Sequence, residues 1–264
     1  MRISWQAWLP DGEPRATVVL AHGASEHGGR YAWAGERLAA SGFALYAGDH
    51  RGHGRSEGPR ALIDRMDRVV GDLDKVVDVA VERHPPKPFL LGHSMGGAVA
   101  LSYAMVHQDR LRGLILSAPV AVLEAASPVT RLAGRVLSTV APRLGVYSID
   151  STAVSRDPAV VRDYDADPLN YHGKLPARTV AELSRAIDGF PEAVTRFKLP
   201  MLVMHGTADR LVPIAGSEMV VERAGSEDKT FKRYDGLFHE ILNEPERQQV
   251  VDDIADWLDA RFPA

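Results

Sequence analysis

Residues Phe89-Leu90-Leu91 lead straight into Gly92-His93-Ser94-Met95-Gly96, and Gly97-Ala98-Val99-Ala100 follow at once. An apolar run, a glycine-flanked serine and a small-residue helical pattern admit few arrangements. They read as a strand, a sharp turn and a helix, with Ser94 at the tip. Such a turn lifts a hydroxyl clear of a sheet and sets it at a helix N-terminus. Gly92 and Gly96 flank the tip because side chains there would crowd the turn. Five residues alone would also suit an ordinary glycine-rich turn. The strand before and the helix after make Ser94 the candidate nucleophile.

The rest of the chain supplies the sheet that such a turn needs. Residues 2–8 alternate loosely and suit an edge strand. Thr17-Val18-Val19-Leu20-Ala21 and Phe43-Ala44-Leu45-Tyr46-Ala47 are continuous apolar runs, the mark of strands buried on both faces. Each ends in a glycine-punctuated loop, at 22–30 and 48–56. A helix fits 31–40. An amphipathic helix fits 66–83, with Val69, Val70, Leu73, Val76, Val77 and Ala80 on one stripe, and Pro85-Pro86 ends it. Another apolar run covers 113–118. Strands alternating with helices predict a mostly parallel central sheet with helices on both faces. Ligands of such sheets sit beyond the carboxyl ends of the strands, where the glycine-rich loops lie.

The rhythm breaks at Pro119. Residues 120–190 hold no buried-strand run and are punctuated by Pro128, Pro142, Pro158, Pro168 and Pro176, with Pro191 just beyond. They read as a helical cap inserted over the site, which leaves 1–119 and 191–264 as an α/β core. The rhythm resumes with a strand at 201–205, a helix at 214–224, a strand at 229–234 and a helix at 246–260.

Composition excludes several chemistries. The chain has 264 residues, 45% of them hydrophobic, enough for one large core with an insertion. A formal net charge of -4 points away from nucleic acid. Cysteine is absent, so there is no thiol nucleophile, no disulfide and no cysteinate metal site. The ten histidines show no His-x-x-x-His pattern with a carboxylate, so no metal is expected. No cofactor is implied. Residues 1–8 are too short and polar for a signal core, and no run reaches the ~20 apolar residues of a spanning helix. The expected location is cytoplasmic or peripheral to a membrane.

A serine hydroxyl needs a neighbouring base, and the base needs an orienting acid. With a nucleophile on a strand-to-helix turn, the partners follow in the order acid, then histidine. His239, just beyond strand 229–234, lies on the same rim as Ser94 and is the candidate base. Asp209, just beyond strand 201–205, is the candidate acid. Asp235 is its rival, but sits on the histidine loop itself, where it would shape that turn. An oxyanion hole needs two backbone N–H groups. Met95, after the nucleophile, supplies one, and Ala24, in the loop after strand 17–21, supplies the other. Gly23 allows close backbone approach. His22 reads as structural, and His93 as packing or capping. Asp49, Arg51 and His53 read as one network bracing the second loop, and Glu26 with Arg30 as a pair bracing the first. Val129, Leu132, Ala133, Val136, Leu137 and Val140 form a stripe at helical spacing in the cap. It suits packing on the domain below, or a lid helix that lines an acyl channel and touches a membrane.

Five pieces resemble the monoacylglycerol lipase family, serine hydrolases of the α/β-hydrolase fold. They are His22-Gly23-Ala24-Ser25-Glu26-His27-Gly28-Gly29-Arg30-Tyr31, Asp49-His50-Arg51-Gly52-His53-Gly54-Arg55-Ser56, Gly92-His93-Ser94-Met95-Gly96-Gly97, His205-Gly206-Thr207-Ala208-Asp209-Arg210-Leu211-Val212 and Leu237-Phe238-His239-Glu240-Ile241-Leu242-Asn243-Glu244. The first and last are the more specific, and the cap is the weakest match. The resemblance implies hydrolysis of a lipid monoester, best monoacylglycerol, through an acyl-enzyme on Ser94. It also makes Glu182, on the second cap helix, a candidate for binding the glycerol head. The rival readings are a general carboxylesterase or lysophospholipase on the same triad, and, remotely, a non-catalytic binding protein on this fold.

Overall fold

The structure is a computed structural model that describes residues 1–84, 86–123 and 128–261, without the side chains of 128–132. Pro85, and the side chains of Val129 and Leu132 in the expected cap stripe, therefore lie outside the described residues. The strands are β1 (Trp5–Trp8), β2 (Ala16–Ala21), β3 (Phe43–Gly48), β4 (Phe89–His93), β5 (Gly113–Ser117), β6 (Gly145–Tyr147), β7 (Leu175–Pro176), β8 (Met201–Gly206) and β9 (Lys229–Tyr234). The α-helices are α1 (Ala32–Ala40), α2 (Met66–Arg83), α3 (Met95–His107), α4 (Pro128–Val140), α5 (Pro158–Ala166), α6 (Ala177–Ala193), α7 (Ala215–Arg223) and α8 (Arg247–Asp259).

Seven strands form one sheet in the order β1-β3-β2-β4-β5-β8-β9. Only β1 runs antiparallel to its neighbour, as a loosely alternating edge strand should. The parallel strands β2, β3, β4, β5 and β8 are buried at every position, which is why they read as unbroken apolar runs. Alternate residues feed opposite cores. Val19, Ala21 and Leu90 pack toward α2 and α3, while Val18, Leu20 and Leu91 pack toward α1 and α8. Register aligns the carboxyl ends: Ala21 lies opposite Gly48 and Gly92, His93 opposite Ser117, and Gly206 opposite Tyr234. Ser94, Asp209 and His239 all follow such ends. This is the α/β-hydrolase fold.

The inserted segment holds α4, β6, α5, β7 and α6, with three of its prolines at helix starts. Pro158 takes the first position of α5, where a missing N–H costs nothing. Two features were not legible. β6 and β7 form an antiparallel ladder of three and two residues, too short to leave a pattern. Pro191 lies inside α6 rather than beyond it. In the last turn it removes one backbone bond without ending the helix. The expected boundary at 190 thus falls within a helix whose Leu183, Ile187 and Phe190 are part of the core that α2 and α3 share. Among the described residues no helix is long and apolar enough to cross a membrane.

Candidate active site

Ser94 closes β4 and caps α3 with φ 54° and ψ -120°. For a residue with a Cβ this is a strained conformation that its surroundings must enforce. They do so from both sides. The Ser94 N–H donates to the Ser117 carbonyl at 3.0 Å, and the Ser94 carbonyl accepts from Gly97 at 2.9 Å and Val120 at 3.0 Å. Gly96 makes the tight turn possible, because a methyl group there would strike the Ala21 and His22 carbonyls.

His239 stands in the loop after β9, and its Nδ1–H donates to Asp209 Oδ2 at 2.7 Å. Asp209 is fixed by its own loop, with Oδ1 accepting from Leu211 at 2.8 Å and Val212 at 3.0 Å. Burial works against its charge, but His239, His205 and the Val212 N–H hold Asp209 well below the usual carboxylate range. Burial also disfavours imidazolium on His239, yet the Asp209 carboxylate, with Glu240 and Glu26 behind it, raises the ring above its ordinary value. The rival Asp235 faces elsewhere. It accepts from the Thr207 hydroxyl at 3.1 Å and ties the acid loop to the histidine loop.

Ser94, His239, Asp209, Ala24 and Met95 line one cavity of about 660 Å³. Among the described residues no acceptor takes the Ala24 or Met95 N–H, so both are free for a ligand oxygen. Most of the wall is apolar, with Val120, Leu123, Ile149, Val154, Leu175 and Leu183 on it. One end is polar. Arg30 donates to Glu26 at 2.8 Å and to Glu240 at 2.6 and 2.8 Å, and its guanidinium lies 4.7 Å from the Tyr164 ring centroid. Glu26 also takes the Gly23 N–H at 2.5 Å and the Tyr31 hydroxyl at 2.8 Å. The Glu26–Arg30 pair was legible as an i, i+4 spacing. Glu240 and Tyr164 were not, although the His239-Glu240 dipeptide was a signal for the first.

Burial pushes His93 down to about 3, with His239 adding to the effect, and the two rings lie 4.7 Å apart. A hydrogen bond of 3.1 Å joins His93 Nδ1 to the Ser117 hydroxyl. The oxyanion loop rests on three further buried histidines. His22 Nδ1–H donates to the Gly23 carbonyl at 2.7 Å, and His22 Nε2 accepts the His50 backbone N–H at 2.9 Å. His50 Nε2–H returns a bond of 3.1 Å to the His22 carbonyl. His53 Nδ1–H donates to the Arg51 carbonyl at 3.0 Å, and its Nε2 is buried with no partner among the described residues. Burial holds His50 down to about 3 and His53 to about 4, and His22 falls well below its ordinary value.

Two expectations need correction. Asp49, Arg51 and His53 do not form one network. Asp49 accepts the Gly28 and Arg55 N–H groups, Arg51 turns to Asp72 on α2 at 2.7 Å, and His53 joins the histidines. Glu182 does not line the cavity. Its carboxylate accepts the Met66 N–H at the start of α2 at 3.2 Å, and pairs with Arg178 at 2.9 Å and with Arg185. A helix N-terminus and two cations are the local partners a buried carboxylate needs, so it braces α6 against α2. The cap stripe also turns outward in part, with Val136 54% and Val140 72% exposed. Among the described residues no group of three His, Asp or Glu is placed to hold a metal.

Comparison with known proteins shows the family. The family model described as "Serine aminopeptidase, S33" matches residues 12–246. A monoacylglycerol lipase of Mycolicibacterium smegmatis is 43% identical over 260 residues, covering 98% of this chain and 93% of that protein. A monoglyceride lipase of Homo sapiens is 36% identical over 259 residues, covering 96% and 86%. The crystal structure of a Paleococcus ferrophilus monoacylglycerol lipase superposes with a TM-score of 0.89 at 30% identity, covering 99% of this chain and 100% of that one.

The geometry sets two expectations. Glu182→Ala should lower stability by about 1–2 kcal/mol, by orphaning the Met66 N–H and removing the carboxylate that Arg178 and Arg185 share, yet leave kcat/KM within about twofold. Thermal melts and ester kinetics on the same preparation check this. The buried histidines predict acid lability. Their folded-state pKa values lie below the unfolded ones, so stability is full above about pH 6.5 and is lost as pH falls toward 4 and below. His53 alone should cost about 2 kcal/mol by pH 5. His53→Gln should flatten the melting temperature between pH 6.5 and 4, relative to wild type.

Proposed function

The chain belongs to the monoacylglycerol lipase family of α/β-hydrolases, and from that premise we propose that it cleaves monoacylglycerol to free fatty acid and glycerol. It is a carboxylic ester hydrolase. The observation that supports the reading is one cavity whose mostly apolar lining also carries Ser94, His239 and Asp209 together with Glu26, Arg210 and Glu240. A monoester of a long acyl chain and a polyol has that same division of character.

In this reading the Ser94 hydroxyl attacks the ester carbonyl while His239 Nε2 takes its proton. Nδ1 is committed to Asp209, which fixes the tautomer and stabilises the imidazolium without itself taking the proton. The Ala24 and Met95 N–H groups receive the charge that develops on the carbonyl oxygen. His239 then returns the proton to the leaving glycerol oxygen. Water, deprotonated by His239, cleaves the acyl-enzyme and frees Ser94. The acyl chain follows the apolar wall, and the glycerol head lies toward Arg30, Glu26 and Glu240.

The inserted segment would meet the lipid surface from which such a substrate is drawn. Val136, Val140, Leu144, Val146 and Tyr147 are exposed apolar side chains on one stretch of chain, and Tyr147 also lines the cavity. An exposed apolar face beside a cavity mouth suits shallow insertion at an interface.

A fluorophosphonate should label Ser94, and Ser94→Ala should lose at least ~10⁴-fold in kcat. An adduct on any other residue would sink the assignment. Initial rates on monoacylglycerol, diacylglycerol, lysophospholipid and a short-chain ester, run side by side, should favour monoacylglycerol. Equal rates on all four would make the protein a general carboxylesterase. The neutral base makes activity fall as pH drops through the His239 value, so the acid limb of kcat/KM should lie above the ordinary imidazole range. The double change Val136→Asp and Val140→Asp should slow hydrolysis of vesicle-borne monoacylglycerol several-fold and leave a soluble short-chain ester unaffected.

A further inference from the structure

Asp209 has a second imidazole neighbour. His205 Nε2 lies 3.1 Å from Asp209 Oδ2, the same oxygen that accepts from His239. His205 is wholly buried near the end of β8, four residues before Asp209. Its Nε2 is also 3.1 Å from the Val212 carbonyl, and its Nδ1 is 2.8 Å from the Ser217 hydroxyl on α7. Both neighbours of Nε2 can only accept, so Nε2 carries the proton and shares it between them in a three-centre bond. Nδ1 then accepts from Ser217. The ring has no freedom left.

We infer that His205 is a positioning residue for the reaction: it closes the Asp209–Val212 loop and holds the Asp209 carboxylate in line with His239. The inference rests on the triad reading above. The loop makes a small cage around the imidazole. Asp209 Oδ1 accepts the Val212 N–H at 3.0 Å, and the Val212 carbonyl accepts from His205. Remove the ring and the carbonyl loses its anchor, the Ser217 hydroxyl loses its acceptor, and Oδ2 keeps only His239. A carboxylate that must stay within hydrogen-bond geometry of a moving proton is sensitive to such slack, because a displacement near 1 Å can cost as much as 10²-fold in rate. His205 touches neither Ser94 nor the cavity, so its effect must pass through Asp209. Glu240 and Glu26, which also raise His239, are not among the hydrogen-bond partners of His205.

The test compares His205→Leu, His205→Gln, Ser217→Ala and Asp209→Ala with wild type, on a soluble ester and across pH. His205→Leu should lower kcat by roughly 10- to 100-fold, with KM within about twofold. Its acid limb should move to lower pH, because a looser Asp209 no longer holds His239 above its ordinary value. His205→Gln, which keeps an N–H donor at the end of the side chain, should recover most of the loss. Ser217→Ala should move in the same direction as His205→Leu, by less, and remains informative if His205→Leu does not fold. A folded His205→Leu with wild-type kcat overturns the inference, and so does a loss of kcat with an unmoved or raised acid limb. Equal loss in the Gln and Leu variants also overturns it. Asp209→Ala separates the two readings: full activity there refutes the triad itself, whereas an inactive Asp209→Ala beside a normal His205→Leu refutes only the role of His205.

Discussion

Everything at the site depends on the Ser94 backbone being held at φ 54°. Such a conformation costs on the order of 1–3 kcal/mol and persists only where the surroundings over-determine it. Here β5 receives the Ser94 N–H, the first turn of α3 and Val120 take its carbonyl, and Gly96 lies against the end of β2. That last contact matters beyond the turn. The carbonyls that Gly96 abuts belong to Ala21 and His22, the residues that start the loop bearing Ala24. The candidate nucleophile and the candidate oxyanion donor are therefore set by one close approach between neighbouring strands.

Charge around His239 follows from the same crowding. Buried carboxylates survive only when paired, and Arg30 is shared by Glu26 and Glu240. Burial works against the charge on both, but Arg30, in a two-pronged contact, draws Glu240 down to about 2, whereas Glu26 stays raised. The four neighbouring histidines, His22, His50, His53 and His93, are all driven toward neutrality by burial. His239 is pushed the other way, because the Asp209 carboxylate on its Nδ1 keeps its charge near neutral pH and outweighs the burial. Against the four that burial drives toward neutrality, the charged form of His239 is favoured by its partner on Nδ1.

Much of this was legible because it is local. Fully buried strands show as unbroken apolar runs, and the glycine-flanked Ser94 shows as a turn. The order serine, acid, histidine follows from the parallel sheet once the strands are placed. What was illegible depends on pairs far apart in sequence. Glu240 meets Arg30 across 210 positions and Glu182 meets the Met66 N–H across 116. Glu182 shows the cost of carrying a role over by resemblance in the cap, where the match is weakest. Its side chain leaves the cavity because the start of α2, invisible from the sequence of α6, offers it a donor. Arg51 likewise prefers Asp72 on α2 to its own loop.

The inserted segment was the least legible part, and its bonds explain why it cannot be treated as a simple lid. Val154 offers its carbonyl to the Glu240 N–H at 2.8 Å, Thr152 accepts from Arg210 at 3.0 Å, and the Tyr171 N–H donates to the Ser25 carbonyl at 2.9 Å. Asp167 accepts from His27 at 2.8 Å. Glu240, Arg210 and Ser25 are the immediate neighbours of His239, Asp209 and Ala24. Residues 152–171 are thus tied to all three loops that carry the candidate site, so displacing them would disturb the geometry of those loops. The exposed part of α4 bears no such ties in its described bonds, where Ser138 and Thr139 bond only within the helix.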